Sequence, residues 1–180
     1  MKKRLLLHIC CAPDATIGIE RLTDHYDVEG YFYNPNIHPS EEYHRRDAAM
    51  DDLAEAVSFS HRKGSADPKP WLKSVEGLED EPEKGRRCVE CIRMRLQETA
   101  RAAKEGGFDL FAAVLTVSPH KNSGVVNRLG EEAGRVHGVQ YFPTDLKKKD
   151  GFRRSVELSK KHGLYRQNYC GCVYSIRDRE

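Results

Sequence analysis

The six cysteines of this chain fall into three short segments: Cys10-Cys11 with Asp14 three residues on, Cys88-Val89-Glu90-Cys91, and Cys170-Gly171-Cys172. The i, i+3 spacing of Cys88 and Cys91 puts both sulfurs on one face of a helix. At a helix start the macrodipole and the free N–H groups favour thiolate, which predicts lowered pKa values for this pair. A single CxxC serves as half of a zinc site or as a thioredoxin-like redox pair, but a polar loop rather than a strand precedes Cys88. Taken together, Cys10, Cys11, Cys88 and Cys91 make a four-thiolate set suited to tetrahedral zinc or to an iron–sulfur cluster. Adjacent thiols are awkward ligands for one tetrahedral ion. Two metals, or a cluster with an extra ion, accommodate them more easily, and Asp14 offers a hard oxygen ligand that iron accepts. Cys170-Gly171-Cys172 would close a tight, strained and easily reduced disulfide, as a redox relay needs. Two further metal ligands, or spectator thiols in a tail, are the alternatives. The bland reading of Cys10 and Cys11 is a pair of small buried hydrophobes.

The elements that must bring these segments together alternate between strand and helix. Residues 5–9 are a short apolar run that reads as a buried strand, broken near Pro13. If both thiols are to serve one site, the backbone must leave the strand at Cys10 or Cys11, because neighbours on a strand face opposite ways. Further strands are expected at 28–33, 58–61, 109–116 and 139–142, and helices at 16–26, 39–57, 71–78, 88–104, from about 122 to 137, and at 152–162. Residues 79–87 read as an exposed polar loop, and Gly106-Gly107 as a helix stop. The alternation predicts a Rossmann-like α/β fold, with a mostly parallel sheet and helices on both faces. Such sheets bind ligands beyond the carboxyl ends of their strands. Cys10 and Cys11, the turn at 34–38 and the segment 116–121 all fall at that edge. One catalytic domain over 1–180 is expected, with the basic helix and Cys-Gly-Cys tail of 147–180 packed on it.

Thirty Lys and Arg stand against 28 Asp and Glu, a net charge of +2, so no global polybasic character exists. Residues 147–166, however, carry eight Lys or Arg against two acids. Lys147, Lys148, Arg153, Arg154 and Arg166 in this stretch could hold a polyanion, although a solvated helix face gives the same pattern. The apolar run after Met1-Lys2-Lys3-Arg4 is too brief for a signal peptide, and no stretch is long enough to span a membrane. A cytoplasmic location is therefore expected, where clustered cysteines serve metals or redox chemistry more often than structural disulfides.

Five blocks of the chain, in order, resemble the QueH-type epoxyqueuosine reductases. They are Leu7-His8-Ile9-Cys10-Cys11-Ala12-Pro13; Tyr31 to Pro39 with Glu42-Tyr43; Arg87-Cys88-Val89-Glu90-Cys91 with Arg95-Leu96; Leu115 with Ser118-Pro119-His120-Lys121; and Tyr165 to Ser175. The resemblance implies reduction of the epoxide of epoxyqueuosine, at the wobble position of a tRNA anticodon, to queuosine. It implies a 4Fe-4S cluster without cobalamin, and a fold related to the adenine nucleotide alpha-hydrolase-like tRNA thiolases. Where those thiolases carry a phosphate loop, this chain has Cys10-Cys11-Ala12-Pro13, which argues against nucleotide binding there. A zinc-binding RNA module and an iron–sulfur thiolase-like enzyme are the competing readings.

Removing an epoxide oxygen takes two electrons, two protons and a place for the oxygen to go. The expectation is that Cys10, Cys11, Cys88, Cys91 and Asp14 divide between a four-iron cluster and a single iron acting as Lewis acid. Cys170 and Cys172 would relay electrons as a redox disulfide or stay near the site as a dithiol. Tyr33, His38 and His120 are the candidate proton donors. His8, inside the strand, reads as a satisfied core histidine. The basic stretch would meet RNA phosphates, and Tyr33, Tyr43 or Tyr169 would stack on an anticodon base. Electrons would come from a ferredoxin- or flavodoxin-like protein or a small reductant.

Overall fold

The structure is a computed structural model and describes residues 1–177. Its centre is β1 (Arg4–Ile9), which is buried on both faces. Leu5, Leu7 and Ile9 point into one hydrophobic layer and Leu6 into the other, following the two-residue period of a strand. Parallel strands covered on both sides need such unbroken apolar runs. Truncating any of these fully buried leucines to alanine would cost about 2–5 kcal/mol.

Five parallel strands form one sheet in the order β3-β2-β1-β4-β5, with β2 at Asp27–Phe32, β3 at His61–Lys63, β4 at Leu110–Ala113 and β5 at Gln140–Tyr141. The chain runs outward from β1 on one side through β2 and β3, then returns to pair β4 on the other. This reversal makes the carboxyl end of β1 the topological switch point, where α/β sheets form their binding crevice. On the Leu5/Leu7 face, α1 (Ala12–Leu22) packs on α2 (Ser40–Val57) and α6 (Gly151–Lys161); on the Leu6 face, α4 (Arg86–Glu105) packs on α5 (Ser123–His137). Two shorter helices, α3 (Lys69–Ser74) and α7 (Val173–Arg177), complete the described residues.

Several boundaries differ from expectation for local reasons. Helix α1 starts at Ala12 rather than 16, because extended Cys11 caps it and Pro13 falls in the first turn, where no N–H is needed. The strand expected at 109–116 ends at Ala113, and Val114–Val117 wind into a 3-10 turn. The strand expected at 58–61 starts at His61, because left-handed Ser58 (φ +53°) terminates α2. The helix expected at 71–78 is the shorter α3. The supposedly exposed loop of 79–87 holds a buried end: Arg87 is 1% exposed, and its Nη1 donates to the carbonyls of Glu79, at 3.0 Å, and Glu81. The last three residues of the expected 1–180 domain lie outside the described residues. No helix among the described residues is long and apolar enough to cross a membrane.

Candidate metal centre

Where β1 becomes α1 the chain turns, and both thiols fall on one side of that turn. Cys10 Sγ lies 3.8 Å from Cys11 Sγ and 3.6 Å from Asp14 Oδ2, and the three ligand atoms all lie within 4.8 Å of one another. Two sulfurs bound to one tetrahedral ion at ~2.3 Å stand about 3.8 Å apart. The adjacent cysteines are therefore not awkward for one ion, contrary to expectation: the strand-to-helix turn gives them the bite of a single metal. Burial and the neighbouring Cys11 push the Cys10 thiol well up, with the Cys11 hydrogen bond the largest cause. Burial raises the Asp14 carboxyl, opposed chiefly by the ammonium of Lys121.

A second group forms around a neighbouring cavity of about 130 Å³, lined by Cys88 and Cys91 from the first turns of α4 and by Cys170 and Cys172 from the C-terminal segment. Cys10, Cys11, Cys88, Cys91 and Asp14 were expected to divide between a cluster and an iron, with Cys170 and Cys172 as a redox disulfide or as a dithiol near the site. The structure sets Cys170 and Cys172 beside the CxxC, and all six cysteines are free thiols. Nor are the CxxC thiols lowered in pKa. Burial is the largest influence on both and raises them, outweighing the N–H of Lys84 that reaches Cys88 Sγ at 3.2 Å. Trp71, fully buried, lines this cavity, and its indole N–H has no partner of ordinary geometry among the described residues. It is close enough to Cys91 to favour the thiolate. Four thiols lining one cavity, with the Trp71 N–H directed at Cys91, fit an iron–sulfur cluster, whose sulfurs accept such bonds.

The C-terminal thiols are held in place by long-range contacts. Arg46, 2% exposed on α2, donates from Nη1 to the carbonyl of Cys170 at 2.9 Å and from Nη2 to that of Tyr169 at 3.0 Å. The His38 N–H donates to the Gly171 carbonyl at 2.7 Å. Gly171 adopts φ +131°, a backbone conformation that favours glycine, and a Cβ there would lie a tight 3.1 Å from Arg46 Nη1.

A second cavity, of about 230 Å³, opens beside the first and is lined by Cys10, Asp14 and Arg166. Cys170, Lys121, Arg95, His120 and Glu83 line both cavities. Lys121 Nζ donates to Cys170 Sγ at 3.5 Å; the ammonium is the largest cause of that thiol's lowered pKa, and the thiol in turn raises the lysine. Arg95 is 3% exposed and feels the thiols of Cys91, Cys170, Cys10 and Cys88. Lys121 and Arg95 were seen in sequence only as parts of motifs. Their role as shared cations depends on the path of the tail.

Of the three proposed proton donors, only His120 lines the cavities. Tyr33 stacks on Tyr31 at 6.0 Å, and burial, then Glu98, push its hydroxyl up to about 12. It follows β2 into the layer under α4 and lines neither cavity. The His38 ring packs on Trp71 at 5.4 Å and its Nδ1 bonds the Asn36 carbonyl at 2.9 Å. His8 is buried in the core as expected but only half satisfied: Nε2 meets the Tyr33 carbonyl at 3.0 Å, Nδ1 has no partner among the described residues, and burial pulls its pKa down to about 3. Among the stacking candidates, Tyr43 meets Phe32 edge-on at 5.5 Å inside the core, while Tyr169 lines the second cavity. The basic stretch is largely engaged with the protein itself. Lys148 pairs with Asp145 at 3.4 Å, Arg153 with Asp150 at 3.0 Å and Arg154 with Glu20 at 2.9 Å, while Lys147 Nζ donates to the Lys121 carbonyl.

With this geometry in view, the model of the family described as epoxyqueuosine reductase QueH matches residues 5–178. The chain belongs to that family. It is 44% identical to the epoxyqueuosine reductase QueH of Streptococcus pyogenes serotype M1, over 98% of this chain and 72% of the relative. It is 37% identical to that of Thermotoga maritima, over 97% and 91%. Family membership carries the reaction class expected from the motifs, an oxidoreductase of tRNA modification. Solved structures similar in fold include the U34-tRNA thiolase NcsA from Methanococcus maripaludis with its [4Fe-4S] cluster, at TM-score 0.60 and 14% identity over 97% of this chain and 61% of that one. Another is a predicted subunit of tRNA methyltransferase from Methanocaldococcus jannaschii, also at TM-score 0.60 and 14% identity, over 88% and 74%. The expected likeness in fold to a tRNA thiolase holds.

Proposed function

We propose that the chain reduces the epoxide of epoxyqueuosine at the tRNA wobble position to the alkene of queuosine, with a four-iron cluster held by Cys88, Cys91, Cys170 and Cys172 and a single iron held by Cys10, Cys11 and Asp14. The observation that carries this reading is the convergence of three thiol-bearing segments on two adjoining cavities that share Cys170, Lys121 and Arg95. When bound, the cluster supplies electrons one at a time and the iron supplies an open Lewis-acid position for the epoxide oxygen.

The remaining work falls to the chain itself. The reaction consumes two electrons and two protons and releases the oxygen as water. Lys121 Nζ and the His120 imidazole line the substrate-facing cavity and are the groups placed to deliver those protons. Arg95 and Lys121 keep positive charge beside the thiolates, which favours the electron-rich state of the site. Electrons enter from a ferredoxin- or flavodoxin-type protein or a small low-potential reductant. The test is anaerobic reaction of iron- and sulfide-loaded protein with epoxyqueuosine-containing tRNA and a strong reductant, read by nucleoside mass. Conversion to queuosine is expected. Loaded protein that leaves the epoxide intact while its cluster cycles between redox states overturns the proposal.

A further inference from the structure

Phe152 is out of place for a packing residue. Helix α6 buries Gly151, Ser155, Leu158 and Ser159 along one face, while Phe152, in its first turn, is 39% exposed. Its ring lies at the rim of the second cavity, whose interior carries Cys10 and Asp14. The Arg166 guanidinium sits over the Phe152 ring at 5.9 Å from its centroid, and Nη1 donates to Ser159 Oγ at 3.1 Å. Arg166 lines the same cavity as Asp14. Gln167, next in the chain, lines the same cavity. Its Oε1 is buried and has no hydrogen-bond partner among the described residues.

An exposed aromatic ring and a guanidinium plane at one cavity mouth form the set that proteins use to hold an unstacked base. The substrate's own chemistry fixes which base. The epoxide is carried on a cyclopentane ring joined through an aminomethyl link to the 7-deazaguanine, so when the epoxide meets Asp14 and Cys10 the base must lie one linker further out. Resting on the reading above, we infer that Phe152 and Arg166 stack the 7-deazaguanine ring of the flipped-out wobble nucleoside. This platform sets which nucleoside can present a substituent to the metal-binding interior.

The test uses loaded full-length protein, binding of a labelled anticodon stem-loop carrying epoxyqueuosine, and steady-state kinetics on full-length tRNA. Phe152→Ala is expected to weaken binding and raise KM roughly 5- to 150-fold, the range that loss of one base–aromatic stack gives, with kcat little changed. Because no charge is lost, the dependence of binding on salt stays as in wild type. Phe152→Leu behaves like Phe152→Ala, since it keeps apolar bulk but has no ring face. Phe152→Trp binds like wild type, and its indole emission is quenched by the RNA; the one native tryptophan, Trp71, is fully buried and supplies a constant background. The inference is overturned if Phe152→Ala or Phe152→Leu keeps KM and binding within twofold of wild type, or if Phe152→Trp binds without quenching. Failure of the functional reading looks different: wild-type loaded protein would then bind the stem-loop but leave the epoxide unreduced, whatever residue stands at 152.

Discussion

Arg46→Met tests whether a buried ion pair on α2 holds the C-terminal thiols in place. Arg46 Nε donates to Glu42 Oε1 at 2.7 Å, and both side chains are almost wholly buried. Its two other nitrogens bond the carbonyls of Tyr169 and Cys170, and its charge sits over the Tyr169 ring at 5.3 Å. Removing one partner of a buried pair costs about 3–5 kcal/mol, mostly by stranding the other charge. Here Glu42 keeps the Tyr165 hydroxyl at 2.7 Å and Arg45 at 3.9 Å, so about 3 kcal/mol is the expected loss. Urea unfolding of the metal-free protein under reducing, anaerobic conditions reads that loss directly. Iron and sulfide content after reconstitution reads the second effect, because a released Cys170 carbonyl lets the thiol drift from the cavity. The double variant Glu42→Gln/Arg46→Met removes the stranded charge and is expected to recover part of the stability but not the iron content. A single variant that unfolds within about 1 kcal/mol of wild type and loads iron fully would refute the argument.

Three other outcomes follow from the site. His8 is neutral in the fold, with a pKa near 3 against 6.5 for an unperturbed histidine, so the unfolded chain binds the extra proton; stability of the metal-free protein falls with acid, by about 2–3 kcal/mol from pH 6.5 to 4.5, and His8→Gln, measured by urea titration, loses that slope. Cys170 is the thiol lowered by Lys121 while Cys10, Cys88 and Cys91 are raised, so brief alkylation of metal-free protein at neutral pH, mapped by peptide mass, marks Cys170 ahead of those three; Lys121→Met abolishes the preference. Trp71→Phe removes the N–H aimed into the thiol cavity while keeping the ring, and redox titration followed by electron paramagnetic resonance is expected to show a more negative cluster potential; an unchanged potential means the indole only packs.

Much of the fold was legible because its signals are local. The apolar run ending in Cys10-Cys11 is a strand by composition alone, and the alternation of strands and helices dictates the parallel sheet and its carboxyl edge. The thiols' partnership was not legible. Whether Cys10 joins Cys88 or Cys11 joins Asp14 turns on a one-residue change from strand to helix at Cys11, where Pro13 reads equally well as a break or as a helix start. The place of Cys170 is set by Arg46, 124 residues earlier in the chain. Tyr33 and His38, candidate donors because they end a strand at the right edge, line neither cavity. Which way each side chain points depends on packing under α4 and on Trp71, and neither appears in their local pattern. Arg154 illustrates the same limit for the basic stretch: its partner, Glu20, lies on α1.

The buried cations explain why such a site should be coupled to its metals. Arg95 is 3% exposed, and one bond, from Nε to the Cys91 carbonyl at 3.3 Å, ties it to its own helix. Lys121 Nζ faces Cys170, Cys10 and Asp14. With Cys10, Cys88, Cys91 and Asp14 all pushed up, Glu83 and the lowered Cys170 are the negative groups beside these two cations, so the metal-free site opposes them with less negative charge than a loaded one would. Metal binding deprotonates cysteines, and each thiolate so formed faces a cation already in place. The stabilisation on loading therefore includes this charge matching as well as the metal–sulfur bonds. Replacing Arg95 by an apolar residue should stabilise the metal-free protein relative to the loaded one, narrowing the gap in melting temperature between them. A gap that stays the same in Arg95→Met would mean that the guanidinium is satisfied without the thiolates and that the charge-matching argument is wrong.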